Sequence, residues 1–136
     1  MAAIKGHCLC GKVSYESTAE APAFTGICHC KSCQRATGSA FSLVLAVPDA
    51  TLTIDGTLTA YVSKGDSGKS ISRKFCPECG SIIADQAELM PGMTMLNAGT
   101  LDDTSWVKPA MQIYCEAAQP WVSLGGEMQS FPKMPG

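Results

Sequence analysis

Seven of the eight cysteines fall into three tight groups, Cys8/Cys10, Cys28/Cys30/Cys33 and Cys76/Cys79. Thiolate sulfur is a soft ligand, and a structural zinc site closes when four ligands stand at the corners of a tetrahedron. The outer pairs supply four sulfurs, enough for one closed site. The middle triplet supplies three, the number found where a metal keeps one position open for water or substrate. The count points to one metal for folding and one for chemistry.

Cys76-Pro77-Glu78-Cys79-Gly80 has the make-up of a zinc knuckle. Its Pro and Gly tighten a turn and leave backbone N–H groups free to bond thiolates. The same spacing serves redox enzymes on βαβ scaffolds, but no βαβ pattern surrounds it here. Cys8-Leu9-Cys10-Gly11 reads as an extended segment whose cysteines share one face, because strand side chains alternate. In Cys28-His29-Cys30-Lys31-Ser32-Cys33, three sulfurs within six residues can sit on one face of a loop-to-helix turn and cap one metal. The helix dipole there favours thiolate over thiol.

Two other readings of the triplet compete. One is a second closed structural site, completed by Cys115 or His29. The other is a thiol redox switch at Cys28/Cys30/Cys33, since crowded thiols oxidise when metal is lost. A secreted disulfide scaffold is a weaker fit, because CxC spacing disfavours pairing within each cluster. If Cys28 and Cys30 face a metal, His29 between them points away and serves as a supporting donor or a packed ring. Cys115 reads as a small buried apolar side chain, and His7 as a surface residue. Asp102 and Asp103 read as loop caps, and Trp106 and Trp121 as core or rim aromatics, with Trp121 able to wall a pocket.

The elements that must hold these residues are short and β-type. Strands are expected at 12–16, 24–28, 41–47, 51–54, 58–62, 70–75, 81–84, 94–98 and 111–115, rich in β-branched or aromatic residues between Gly, Pro, Asp and Ser. Asp55-Gly56 is expected to close a tight hairpin, and 64–69 to link another pair. Only 31–37 looks helical, stopped by Gly38. The fold class is therefore all-β or β-dominated with one short helix. The 136 residues fit a single domain over 1–136, with an irregular tail over about 128–136.

Composition excludes several classes of function. The chain is 46% hydrophobic and 16% charged, as a folded core requires. A formal charge of −2 gives no footprint for nucleic acid or an anionic membrane. Seven thiolates on two Zn²⁺ ions would make the sum three units more negative. Lys12, Lys31, Arg35, Arg73 and Lys74 are the cations placed to offset that. The longest apolar run, 43–48, is far short of the roughly 20 residues of a membrane span. No signal-peptide pattern opens the chain, so the expected location is cytoplasmic, where clustered cysteines hold metal more often than disulfides.

With these residues assembled, the chain resembles the glutathione-dependent formaldehyde-activating enzyme family, also grouped with centromere protein V. The segments that carry the resemblance are 7–11 (His-Cys-Leu-Cys-Gly) and 28–39 (Cys-His-Cys-Lys-Ser-Cys-Gln-Arg-Ala-Thr-Gly-Ser). Further on come 75–80 (Phe-Cys-Pro-Glu-Cys-Gly), 97–103 (Asn-Ala-Gly-Thr-Leu-Asp-Asp) and 119–121 (Gln-Pro-Trp). The resemblance implies a β-tent of antiparallel sheets. It implies a structural zinc on Cys8, Cys10, Cys76 and Cys79, and a catalytic zinc on Cys28, Cys30 and Cys33. The implied activity is that of a carbon–sulfur lyase joining glutathione and formaldehyde to S-hydroxymethylglutathione. Many members carry His where this chain has Gln112, ahead of Ile113-Tyr114, and the chain is short for the founding enzymes.

The residues themselves suit thiol chemistry. Three thiolates leave zinc a weak Lewis acid that still accepts a soft sulfur ligand, so a substrate thiol such as glutathione is expected at the open corner, poised to add to a small aldehyde. Lys31 and Arg35 are candidates for the thiol's carboxylates. The alternative is a non-catalytic zinc-stabilised binding module with two structural metal sites.

Overall fold

The computed structural model describes residues 3–135. In chain order its elements are β1 (Ile4–His7), β2 (Ser14–Ser17), β3 (Phe24–Cys28), α1 (Lys31–Thr37), β4 (Ser42–Pro48), β5 (Leu52–Asp55), β6 (Thr59–Lys64), β7 (Ser70–Phe75), β8 (Ile82–Ala87), β9 (Met93–Asn97), β10 (Met111–Ile113) and β11 (Gln129–Ser130). The strands form two sheets. The smaller has the order β1-β2-β5, the larger β11-β10-β3-β4-β9-β8-β7-β6. Pairing is antiparallel except at one edge, where β10 runs parallel to both β3 and β11. The β-dominated fold class expected from the sequence is what forms.

Residue pattern explains which strands lie where. β1 alternates, with Ile4 and Gly6 inward and Lys5 and His7 outward, as a strand buried on one face must. In β4 the run Leu45-Ala46-Val47 is wholly buried, which suits a strand central to the larger sheet. The core joins both sheets: Ile4, Val13 and Tyr15 from the smaller side meet Leu45, Val47, Ile83 and Leu96 from the larger. Burying each such aliphatic side chain contributes about 1.5–3 kcal/mol. Cys8 and Cys76 belong to the same core cluster, so the first cysteine group grows directly out of it.

Four expectations need correction. Asp55-Gly56 closes no hairpin: β5 pairs with β2, while β6 pairs with β7 in the other sheet. Gly56 instead takes φ 103° at the crossing, packed so closely on Lys12 and Val13 that a Cβ would not fit. Cys8-Leu9-Cys10 is not extended but turned, with Gly11 N–H donating to the Cys8 carbonyl at 3.1 Å and Gly11 at φ 82°. The strand expected through Cys115 ends at Ile113, where Tyr114 enters the left-handed region at φ 54°. Finally, the tail is not irregular throughout. Gln129–Ser130 adds β11, and Phe131 and Lys133 continue the pairing along residues 112–115. The helix falls where expected, ended by Gly38 at φ 63°.

Candidate metal centres

The outer cysteine pairs meet because two turns lie side by side. One follows β1 and the other follows β7, so each comes from a different sheet. In the second, Gly80 N–H donates to the Cys76 carbonyl at 2.8 Å and Gly80 takes φ 79°. Ser81 fastens the turns together: its Oγ accepts from Leu9 N–H at 3.0 Å and lies 3.3 Å from Cys79 Sγ. Cys8 Sγ accepts from Val13 N–H at 3.3 Å. The Ser81 hydroxyl, ahead of its backbone N–H, draws the Cys79 thiol down to about 5, so thiolate is the favoured form near neutrality.

These four sulfurs all lie within 4.8 Å of one another. Cys8 and Cys10 are separated by 3.6 Å and Cys10 and Cys76 by 3.8 Å. A tetrahedron with Zn–S of about 2.3 Å has S···S edges of about 3.8 Å. The donor set and its spacing therefore fit a zinc-sized tetrahedral site.

The triplet is built by a strand end and a helix start. Cys28 is the last residue of β3, held between Ser42 on β4 and Ile113 on β10. Cys30 caps α1, its Sγ accepting from Cys33 N–H at 3.3 Å, and Cys33 stands in the first turn. The three sulfurs lie within 4.8 Å of one another, so they too could hold a metal ion. Hydrogen bonds from the Cys28 and Cys33 thiols, with the Cys33 amide and Arg73, hold the Cys30 thiol far below the ordinary range. The negative charge so gathered pushes Cys28 the other way, first through Cys30 and Cys33 and then through burial.

No fourth ligand joins them from the candidates named by the sequence. Cys115 lies apart from the group, its Sγ 3.5 Å from the Gln112 carbonyl. His29 turns away, as alternation requires. Its ring is 1% exposed, tilted on Phe41 at 5.7 Å, with Nε2 2.8 Å from Gln112 Oε1. With Gln112 Oε1 as the acceptor, Nε2 is assigned the proton. Gln112 Nε2 in turn donates to Ser130 Oγ at 3.0 Å. His7 is half-exposed as expected, but it pairs with Asp102 at 2.7 Å, so only Asp103 acts as a loop cap, accepting from Ser105 N–H at 2.9 Å.

The triplet opens on a cavity of about 760 Å³ between the larger sheet, the 64–69 loop and the C-terminal segment. Lys31 lines it; Arg35 and Trp121 do not, and Trp121 is 72% exposed. Much of the remaining lining was not read from the sequence, although Arg73 was expected near the metal sites as an offsetting cation. Arg73 and Asp85 from β7 and β8, Tyr114 after β10, and four methionines (Met90, Met95, Met111 and Met134) form much of it. Burial first, only partly countered by Arg73, pushes the Asp85 carboxyl up to about 6. Gln34 was also missed. It is buried, its Nε2 donating to the His29 and Ala117 carbonyls at 2.6 and 3.1 Å and its Oε1 accepting from Gln119 at 2.7 Å. The Gln119-Pro120-Trp121 segment was the sequence signal for that clamp.

Two cysteine-lined centres on a β-dominated scaffold, one closed and one facing a cavity, define the class of protein. A family model described as glutathione-dependent formaldehyde-activating enzyme matches residues 3–117, and the chain belongs to that family. Comparison with curated proteins gives no match. Among solved structures, the crystal structure of a Rhodobacter sphaeroides protein, a structural-genomics target, is similar at TM-score 0.59 and 25% identity. That alignment covers 78% of this chain and 92% of the other.

Proposed function

We propose that the protein is a zinc-dependent carbon–sulfur lyase that makes or breaks adducts of a thiol, glutathione or a relative, with a small aldehyde such as formaldehyde. The single observation that carries this reading is the triplet itself: three convergent sulfurs, no fourth ligand grouped with them among the described residues, and a cavity that they line. Family membership supports the same chemistry. In this reading Cys8, Cys10, Cys76 and Cys79 hold the structural metal, and Cys28, Cys30 and Cys33 hold the catalytic one. Zinc at the triplet supplies an open coordination position that lowers the pKa of a substrate thiol.

The chain's own residues do the rest. The Cys33 amide steadies the Cys30 sulfur, and the turn between β3 and α1 fixes the three ligands before substrate arrives. The cavity's largely apolar lining fits an adduct better than a free ion. Lys31, exposed at the rim, is available to a substrate carboxylate.

The test is ligand exchange at a spectroscopically visible metal. The protein should bind two zinc ions per chain, and the cobalt-substituted form should change its sulfur charge-transfer band on adding glutathione. Cys33→Ser should abolish that change while the chain stays folded with one metal. An unchanged band in the wild type would overturn the lyase reading and favour a non-catalytic binding module with two structural sites. Unfolding of Cys33→Ser would mark the triplet as structural.

A further inference from the structure

The cavity lined by the triplet also holds a charged pair whose burial has no structural account. Arg73 and Asp85 face each other across β7 and β8, with side chains only 11% and 10% exposed and the closest N···O approach a loose 4.0 Å. Taking two ions out of water costs several kcal/mol each, and Coulomb attraction offsets this only with close geometry and satisfied hydrogen bonds. The ion pair is not close, and Asp85 Oδ1 and Asn97 Nδ2 are both buried without a well-formed hydrogen bond, although Asn97 is near enough to ease the carboxylate's burial. The Arg73 guanidinium carries five N–H donors and, among the described residues, makes no hydrogen bond to a protein acceptor. A donor fork left free beside a reactive centre is equipped for an acceptor that arrives with the substrate.

The other cations of the lining are placed differently. Lys31, Lys64, Lys69 and Lys133 are exposed at the rim, where solvent screens them and a carboxylate can reach them from outside. Arg73 alone among the lining cations is nearly buried, and it lines the same cavity as the three cysteines. In a low-dielectric pocket, a fixed donor aimed where negative charge develops contributes far more than the same group in water.

We propose that Arg73, aimed by Asp85, is the residue that holds the aldehyde oxygen during the reaction. The inference rests on the lyase reading. In the forward direction the thiol loses its proton to solvent and a sulfur lone pair attacks the carbonyl carbon. The C–S bond forms as the C=O π pair moves onto oxygen. The guanidinium donates hydrogen bonds to that oxygen as it becomes anionic, and a proton from water then completes the hydroxyl. Thiol plus aldehyde gives hemithioacetal with nothing oxidised or reduced. Arg73 is thus a catalytic residue and Asp85 a positioning one. The fork distinguishes an adduct that carries oxygen on the carbon next to sulfur from a plain thioether.

The test separates oxygen recognition from carboxylate recognition. Exchange of ¹³C-formaldehyde with its glutathione adduct is followed by NMR for zinc-replete wild type, Arg73→Ala and Arg73→Lys, and glutathione binding to each is measured by calorimetry. Arg73→Ala should lower kcat about 10²–10³-fold. Its KM and Kd for glutathione should stay within about threefold of wild type, and added guanidinium ion should restore part of the rate. Arg73→Lys keeps the charge, and so the fold, but loses the fork, and should remain at least tenfold slow. Asp85→Asn should lower kcat with glutathione affinity unchanged, a split that simple loss of structure would not give. Weakened glutathione binding with kcat intact in Arg73→Ala would make Arg73 a carboxylate clamp and overturn the proposal. So would wild-type kinetics in that variant. A wild-type protein that neither binds glutathione nor speeds the exchange would instead fell the lyase reading itself, and this inference with it.

Discussion

Asp85 shows how one carboxyl can tie stability to pH. Burial raises its pKa from 3.8 to about 6, so folding favours the protonated form. Its contribution to stability is complete below the unfolded value and is lost as pH rises through about 6. Asp85→Asn has nothing to lose over that window. The difference in melting temperature, variant minus wild type, should therefore grow as pH rises from about 4 to 7, measured by thermal melts in parallel buffers. Gln112 sets a second residue-scale test. It accepts from the buried His29 ring and donates to Ser130, so Gln112→Ala leaves an imidazole N–H unpaired in the interior. That should cost about 1–3 kcal/mol in urea unfolding while leaving the metal content unchanged. Residue types named Arg73 as a cation available to the metal sites, but Asp85 is an unremarkable strand residue in the sequence, and only the antiparallel register of β7 on β8 brings the two together.

Strands with clear patterns were legible at the level of the element, and those that depend on a distant partner were not. β3 and β7 form over the residues expected from their composition. β1 was missed, because Ile4-Lys5-Gly6-His7 is short and has glycine at its centre. It becomes a strand through pairing with β2 and through a bridge from Gly6 to Leu101. The missing Cβ is what permits this: at Gly6 a methyl group would strike the Thr100 carbonyl and the Tyr15 ring. Gly6→Ala should accordingly destabilise the fold by about 1–3 kcal/mol, read as a lower denaturant midpoint at unchanged slope. The Asp55-Gly56 turn was misread for the complementary reason. Local sequence signals a reversal of chain direction, but not which neighbour the next strand will pair with.

For the whole molecule, the outer cysteines matter because of what they join. Cys8 and Cys10 follow a strand of the smaller sheet, and Cys76 and Cys79 follow a strand of the larger one. A metal held by all four fastens the two sheets at a corner of their shared core, and its binding free energy becomes folding free energy. Stripping metal with a strong chelator should abolish the cooperative thermal transition, and Cys79→Ser should do the same without chelator. Retention of a sharp transition in both would separate the cluster from folding. Spacing in the sequence determined the three cysteine groups, because CxC and CxxC keep sulfurs close whatever the rest of the chain does. It also determined the β-dominated class, through short patterned segments broken by turns. Only the tertiary structure decided that Cys115 stays out of the triplet, that the tail lines one side of the cavity, and that Arg73 and Asp85 line the same cavity as the sulfurs. Those outcomes depend on pairing and packing between residues far apart in the chain, which no local spacing encodes.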